Sequence, residues 1–254
     1  MEGNISIKGY EIKFFLDITK ALNEKNEIKK DIIDIFQISN LKQKDIQFID
    51  AINNDMYNDG WILRNRKKEG DDKYELTYKK RYEIIDNNTD YVLEQARKEG
   101  LLQNSEGYEL EWEWGYTKQK LSVSFEEKLQ ADVSATGMPS IDELKRLFLQ
   151  KPPKEFINWK HNDYGIGQIN KSRVCGPIHA KVYDGKWDES KITIEIWSKI
   201  INNRTESIIE VSMKVKDESI AARYHTTLKD YLQEKDWLLM QDFSKTEWAL
   251  TNCN

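Results

Sequence analysis

The chain has 254 residues, of which 39 are basic and 44 acidic, giving a formal net charge of −5. Its 28 aromatic residues exclude a disordered chain, and 4 Pro and 12 Gly exclude a collagen-like or linker-dominated one. No apolar run approaches the roughly 20 residues that span a bilayer, and the N-terminus lacks a signal-peptide core. Cys175 and Cys253 cannot form a disulfide framework or a zinc site. We therefore expect a protein of the reducing cytoplasm with no membrane partner.

The spacing of apolar residues predicts strands and helices in alternation along the chain. In chain order these are a strand over 9–17, helices over 18–38 and 41–56, a strand pair over 61–68 and 73–84, a helix over 88–99, strands over 108–115 and 117–125, a helix that begins at Ser140, strands over 171–183, 191–199 and 207–215, a helix over 217–234 and a closing strand over 236–250. The economical fold is one α+β domain over residues 1–254, with about eight mostly antiparallel strands.

Five of these strands carry charged residues on one face and apolar residues on the other, because side chains alternate along a strand. The charged faces are Arg64, Arg66 and Lys68; Lys73, Glu75, Thr77, Lys79 and Arg81; Glu109, Glu111 and Glu113; Lys191, Thr193 and Glu195; and Glu210, Ser212 and Lys214. An antiparallel sheet with one solvated face gives the same alternation. A closed barrel would instead enclose the charges, and the helices would cover its apolar outside. The Arg-x-Arg pair favours the inside, since its rigid donor forks suit phosphate.

The two signs of charge lie on different strands. Residues 64–81 include eight basic and four acidic residues, whereas 106–113 include four acidic and no basic ones. Basic forks bind phosphate oxygens, and clustered carboxylates bind Mg²⁺ or Mn²⁺. A site with both is suited to polyphosphate chemistry.

One hairpin carries a specific resemblance. The run from Trp61 through Arg64 to Arg66, followed by Glu75-Leu-Thr-Tyr-Lys79, resembles the Leu-Arg-x-Arg … Leu-Thr-x-Lys hairpin of the triphosphate tunnel metalloenzymes, the CYTH superfamily. That resemblance implies an α+β fold with an eight-stranded antiparallel β-barrel, a charged tunnel and flanking helices. It also implies a divalent-metal-dependent hydrolase of inorganic triphosphate, thiamine triphosphate or a nucleotide.

The resemblance assigns roles to residues spread over nearly the whole chain. The expected metal ligands are Glu11, Glu111 and Glu210, and Glu113 or Glu195 would orient the attacking water. The expected substrate-binding residues are Lys13, Arg64, Arg66, Lys79, Arg81, Arg173, Lys214 and Lys245. Two carboxylates of the family pattern are missing, because Gly9 and Ser212 occupy their positions.

Three hypotheses about function follow. The first is the Mg²⁺- or Mn²⁺-dependent hydrolase, with a small triphosphate or polyphosphate as its partner. The second is a barrel that binds phosphate or polyphosphate without hydrolysing it, which the residues Gly9 and Ser212 favour. The third is an interaction protein whose charged faces are solvated. Nucleic acid is disfavoured by the acidic net charge, except for an RNA 5′ end, where only the triphosphate is needed.

Overall fold

The computed structural model describes residues 7–102, 107–130, 137–251 and 253. Nine strands lie in this part of the chain: β1 (Ile7–Leu16), β2 (Ser39–Asp50), β3 (Trp61–Lys68), β4 (Lys73–Ile84), β5 (Tyr108–Trp114), β6 (Gln119–Gln130), β7 (Arg173–Trp187), β8 (Ser190–Ile201) and β9 (Arg204–Val215). The helices within the same ranges are α1 (Ile18–Ala21), α2 (Lys30–Ile35), α3 (Asp55–Asn58), α4 (Thr89–Lys98), α5 (Ile141–Phe148), α6 (Lys154–Ile157), α7 (Tyr164–Asn170), α8 (Glu218–Glu234) and α9 (Lys245–Leu250).

The nine strands close into a single barrel in the order β1-β5-β6-β4-β3-β2-β7-β8-β9. The barrel closes where β9 pairs antiparallel with β1, and β1 pairs in parallel with β5. Every other neighbouring pair is antiparallel. The predicted barrel is thus confirmed, with one more strand than the eight expected and one parallel contact.

The main hydrophobic core lies between the outside of the barrel and the helices. Apolar side chains of β1, β5 and β9, such as Ile12, Trp112 and Val211, pack there with Leu228 of α8. Because side chains alternate, their charged neighbours Glu11, Glu113 and Glu210 point to the opposite side, which is the barrel interior. The charged strand faces are therefore enclosed by the barrel, as one of the two sequence interpretations predicted.

Two segments differ from the sequence prediction. Residues 41–56 were expected to form a helix, but most of that stretch is the strand β2, in which Ile46 and Phe48 are buried. Residues 236–250 were expected to form a strand, but they end in the helix α9. The predicted helix over 18–38 is two short helices, α1 and α2.

Part of the barrel interior is apolar. A second buried cluster is formed by side chains of β2, β3, β7, β8 and α9, namely Ile46, Phe48, Ile62, Cys175, Ile178, Ala180, Trp197, Ala249 and Leu250. Ile46, Ile62 and Trp197 lie on the same strand faces as Lys44, Arg64 and Glu195, so this cluster fills interior space beside the charged groups. A uniformly charged tunnel would be lined by charges along its whole length. The interior of this barrel is instead charged in one part and apolar in another.

The two cysteines lie at this second apolar cluster. Cys175, which is buried at a bulge of β7 opposite β2, forms a disulfide with Cys253. Disulfides are rare in the cytosol, so this bond was not expected from the sequence. Cytoplasmic localisation stays a prediction. Among the described residues, no helix is both long and apolar enough to span a bilayer.

Candidate functional site

Glu113 is the centre of the charged interior. This β5 carboxylate is only 2% exposed, and three cations from β1 and β4 surround it. Its oxygens lie 2.5 Å from Nζ of Lys13, 3.0 Å from Nζ of Lys79 and 3.1 Å from Nη2 of Arg81. The hydroxyl of Ser122 on β6 donates a further hydrogen bond to it. Four strands thus converge on one buried carboxylate.

A group of three carboxylates lies beside this centre. One oxygen each from Glu11, Glu111 and Glu113 lies within 4.8 Å of the other two. Hard divalent cations take carboxylate oxygens as ligands, so this donor set fits Mg²⁺ or Mn²⁺. The ammonium of Lys214 now contacts Glu111 at 2.6 Å and Glu11 at 3.5 Å, and its side chain is 63% exposed. The donor set thus has a lysine partner whose side chain is largely exposed to solvent.

A second basic site is formed by the Arg-x-Arg strand and its neighbours. Nη2 of Arg66 lies 2.8 Å from Glu126 and also contacts Glu75. Arg64 donates to the hydroxyl of Thr77 at 3.3 Å, and it lies 3.8 Å from Glu126. The two guanidinium groups therefore converge on a small region of the interior between β3, β4 and β6.

A third cluster links β8 and β9 to the C-terminal helix. Nζ of Lys245 lies 2.8 Å from Glu195 and 2.6 Å from Glu210. Glu195 also accepts hydrogen bonds from Lys44 at 2.9 Å and from the indole N–H of Trp197 at 3.0 Å. Lys245 is the first residue of α9, so the helix that packs into the apolar part of the interior also supplies a charge to the polar part.

An open cavity of about 1470 Å³ touches this third cluster at Lys44. It lies beside the turns that join β3 to β4 and β8 to β9, and its lining includes Lys44, Lys67, Lys68 and Thr205. Lys44 also contacts Glu195, whereas Glu195, Glu210 and Lys245 do not line the cavity.

The structure brings together most of the residues singled out from the sequence. Glu11, Lys13, Lys79, Arg81, Glu111, Glu113 and Lys214 form one group, Arg64 and Arg66 a second, and Glu195, Glu210 and Lys245 a third. Glu210 lies with Lys245 rather than in the carboxylate triad, where Glu113 takes the third place. Arg173 lies apart from all three groups, and it donates to the backbone carbonyl of Cys253 at 2.6 Å.

Several interior residues were missed from the sequence. Lys44 was missed because residues 41–56 were taken as a helix. Ser122 lies in the strand predicted over 117–125, to which no role was assigned, and Glu126 lies just beyond the predicted end of that strand. Simple alternation along β6 places Ser122 and Glu126 on one face. This signal would have found both residues once β6 was known to pair with β4 and β5.

Position 9, where the family pattern described above has a carboxylate, cannot hold one for a steric reason. Gly9 has a φ of +153°, and a Cβ added there would lie 2.5 Å from the carbonyl oxygen of Val215. No side chain fits at that distance, so the local backbone excludes a glutamate at this position. Ser212, at the other position that lacks a carboxylate, is 9% exposed and pairs with Lys13 across β9 and β1. Among the described residues, Glu11, Glu111 and Glu113 are the carboxylates grouped closely enough to form a cation site here.

The carboxylates fall into two electrostatic classes. Burial opposes ionisation of Glu11, but Lys13 and Lys214 outweigh it and lower its pKa from 4.5 to about 2. Arg81, Lys13 and Lys79 likewise outweigh burial and hold the pKa of Glu113 well below its ordinary value. Burial and the neighbouring Glu11 raise the pKa of Glu111, and burial raises that of Glu210. The interior therefore combines firmly ionised carboxylates with carboxylates that take up protons more readily.

These opposite shifts predict opposite pH dependences for two substitutions. Because the pKa of Glu11 is lower in the folded state, its stabilisation is present above about pH 4.5 and is lost as the pH falls towards 2. Wild type should therefore be more stable than Glu11→Gln at pH 7, and the difference should shrink between pH 4.5 and 3, because it is lost completely only towards pH 2. Glu111 has a raised pKa, so Glu111→Gln should match or exceed wild type at pH 7 and equal it below pH 4.5. Urea unfolding of the three proteins between pH 3 and 7 tests this, and parallel curves would contradict it.

No protein-family model and no curated protein matches the sequence. Solved structures do match. A protein from Hippeastrum, named as an adenylyl cyclase and described as having a dominant triphosphatase activity, has a TM-score of 0.51 at 15% identity, with 92% of this chain and 91% of that chain covered. A Bacillus halodurans protein named as an adenylate cyclase has a TM-score of 0.50 at 11% identity, with 95% and 97% covered. Together with the closed barrel and its enclosed charges, these matches show that the chain shares the CYTH-like fold of these two proteins.

Proposed function

We propose that this protein is a divalent-metal-dependent hydrolase of small molecules that carry a triphosphate, and that it acts inside the barrel. The proposal rests on one observation: basic side chains and a triad of carboxylates are enclosed together in the barrel interior. Arg64 and Arg66 lie on β3, and Lys79 and Arg81 on β4. The triad of Glu11, Glu111 and Glu113 lies on β1 and β5, and β6 separates β5 from β4. The dominant triphosphatase activity described for the Hippeastrum protein of the same fold supports this choice.

The basic groups are suited to binding the phosphates. Arg64 and Arg66 offer planar donor forks, which match phosphate oxygens better than ammonium groups do. Lys13, Lys79 and Arg81 are within reach of the same interior space, since all three contact Glu113. Lys214 and Lys245 would add charge on the β9 side, and we give Arg173 no direct phosphate contact because it is tied to Cys253. Fixed cations around an entering triphosphate would hold it and stabilise charge that develops on its oxygens.

Glu11, Glu111 and Glu113 are the residues that would hold Mg²⁺ or Mn²⁺, with Glu210 at the edge of the site. A bound divalent ion would supply charge neutralisation at the phosphate oxygens. The side chain of Lys214 would have to leave Glu111, which its 63% exposure permits.

Hydrolysis would need one water and no covalent intermediate. The water oxygen forms a bond to the terminal phosphorus while the bond from that phosphorus to the bridging oxygen breaks, which gives inorganic phosphate, a diphosphate product and one proton. Glu113 and Glu195 stay our candidates for orienting the water. Cations hold the pKa of both below the ordinary value despite their burial, so both would accept hydrogen bonds from the water's O–H groups.

The test is phosphate release from tripolyphosphate, ATP and thiamine triphosphate with Mg²⁺, with Mn²⁺ and with EDTA. We expect turnover that EDTA abolishes, and a fall on the order of 100-fold in Glu111→Gln, as for loss of one charge-stabilising group. Glu109→Gln is the matched control, because Glu109 lies on the same strand face but is 49% exposed and pairs with Lys8. An RNA with a 5′-triphosphate belongs in the substrate panel. Absence of turnover with every substrate and metal would overturn the hydrolase.

A barrel that binds phosphate without hydrolysis is the second candidate. Steric exclusion of a carboxylate at Gly9, and the lysine contacts that Glu11 and Glu111 already make, favour it. Thermal unfolding with tripolyphosphate distinguishes the two. Stabilisation that persists in EDTA, without turnover, would identify a binding protein. No stabilisation at all would exclude a binding protein for tripolyphosphate, and the turnover assay decides the hydrolase.

A further inference from the structure

One carboxylate in the interior is placed as a phosphate oxygen would be. Oε1 of Glu126, on β6, lies 2.8 Å from Nη2 of Arg66 and 3.8 Å from Nη2 of Arg64. The same oxygen accepts a hydrogen bond from the hydroxyl of Thr77 at 3.2 Å. Three donor groups from two neighbouring strands thus converge on a single anionic oxygen.

The three donor side chains are more buried than the Glu126 carboxylate on which they converge. Thr77 is 1% exposed, and the side chains of Arg64 and Arg66 are only 19% and 20% exposed. The Glu126 side chain is 36% exposed, so it can turn away without breaking the core. Arg66 would then keep Glu75 as an ion-pair partner, but no other carboxylate lies within ion-pair distance of Arg64 among the described residues.

We propose that Glu126 occupies the place of a substrate phosphate group in the empty barrel and is displaced when a triphosphate or polyphosphate binds. This inference rests on the proposed function, because it concerns the same arginines. Glu126 would be a positioning residue that holds Arg64 and Arg66 in the geometry that the phosphate then uses. It would also set a threshold for binding, since an anion must outcompete a carboxylate that is already there.

A competing carboxylate lowers the affinity for the anion that displaces it. Replacing Glu126 with glutamine removes the negative charge but keeps the shape and one acceptor oxygen. We expect tripolyphosphate to bind Glu126→Gln about tenfold more tightly than wild type, since a charge-assisted hydrogen bond no longer has to be broken. The neighbouring Glu127 gives a matched control. It points to the outside of β6, where its nearest cation is Lys151 at 3.9 Å.

Isothermal titration of wild type, Glu126→Gln and Glu127→Gln with tripolyphosphate, in EDTA, measures the affinity without turnover. Tighter binding in Glu126→Gln alone supports the proposal. Equal affinity in all three proteins overturns it, and weaker binding in Glu126→Gln overturns it as well, because the carboxylate would then help the anion to bind. Binding without turnover in a parallel assay would overturn the hydrolase and leave the affinity ratio to decide this inference. No binding by any of the three proteins would overturn this inference, whereas the turnover assay with Mg²⁺ and Mn²⁺ decides the hydrolase separately.

Discussion

Replacing Glu113 with alanine should lower the free energy of unfolding by about 3–5 kcal/mol, the cost of removing one partner from a buried charge cluster. Glu113 is 2% exposed and neutralises Lys13, Lys79 and Arg81 at once. Lys13 would keep Glu11 at 3.5 Å. Among the described residues, no other carboxylate lies within 4.0 Å of the charged atoms of Lys79 or Arg81. Loss of Glu113 therefore leaves two enclosed cations without an ion-pair partner.

Urea unfolding of wild type and Glu113→Ala measures this loss, and Glu109→Ala controls for removal of a glutamate from the same strand face. Glu109 is 49% exposed, so its pair with Lys8 should contribute only about 0–1 kcal/mol. Tripolyphosphate should raise the melting temperature of Glu113→Ala more than that of wild type, because it would neutralise the cations that the substitution leaves unpaired. Glu113→Gln, which keeps the volume, serves if the alanine variant does not fold. Similar losses in the Glu113 and Glu109 variants would contradict the central role of Glu113.

The enclosure of charge could be predicted because alternation along a strand is a local property. In β5, Leu110 and Trp112 are buried in the main core, and Glu111 and Glu113 point to the other side. Five strands with this pattern, and helices to cover the apolar sides, favour closure whatever the strand order is. The strand order itself was not predictable, since the parallel pairing of β1 with β5 joins segments about a hundred residues apart.

The errors came from segments in which two periodicities coincide. Ile46, Ile49 and Ile52 recur at helical spacing, but in the structure Ile46 faces the interior, Ile49 packs in the main core and Ile52 is 75% exposed. The strand is stabilised by pairing with β3 and β7, a tertiary effect that propensity does not include. For α9 a local signal was present. The side chain of Ser244 accepts a hydrogen bond from the backbone N–H of Glu247, so Ser244-Lys-Thr-Glu247 is a capping sequence.

The positions of the charged groups within the interior depend on pairing across the barrel. Glu113 and Lys13 are a hundred residues apart in sequence, and they meet because β1 lies next to β5. Glu126 meets Arg66 because β4 lies between β3 and β6. Resemblance to a family gave the identities of many of these residues. It gave neither the partner of each one nor the three separate groups into which they fall.

Replacing both Arg64 and Arg66 with alanine should weaken tripolyphosphate binding by at least about 100-fold, since each charge-assisted hydrogen bond contributes about 1.5–3 kcal/mol. Both guanidinium groups converge on one oxygen of Glu126, where we place a phosphate group of the ligand. Replacing both with lysine keeps the charge but removes the planar forks, so binding should be recovered only in part.

Lys67→Ala is the matched control for this double substitution. Lys67 directly follows Arg66 on β3, but its side chain faces outwards. Its ammonium lies 4.6 Å from the ring centre of Tyr74. Titration calorimetry in EDTA measures the affinity of each variant for tripolyphosphate. Circular dichroism establishes that each variant is folded, so that loss of binding is separated from loss of structure. The phosphate site would have to be sought elsewhere if the folded double-alanine protein bound tripolyphosphate as tightly as Lys67→Ala. Within the described part of the chain, the clusters at Glu113 and Lys245 would then be the next cationic regions of the interior in which to place it.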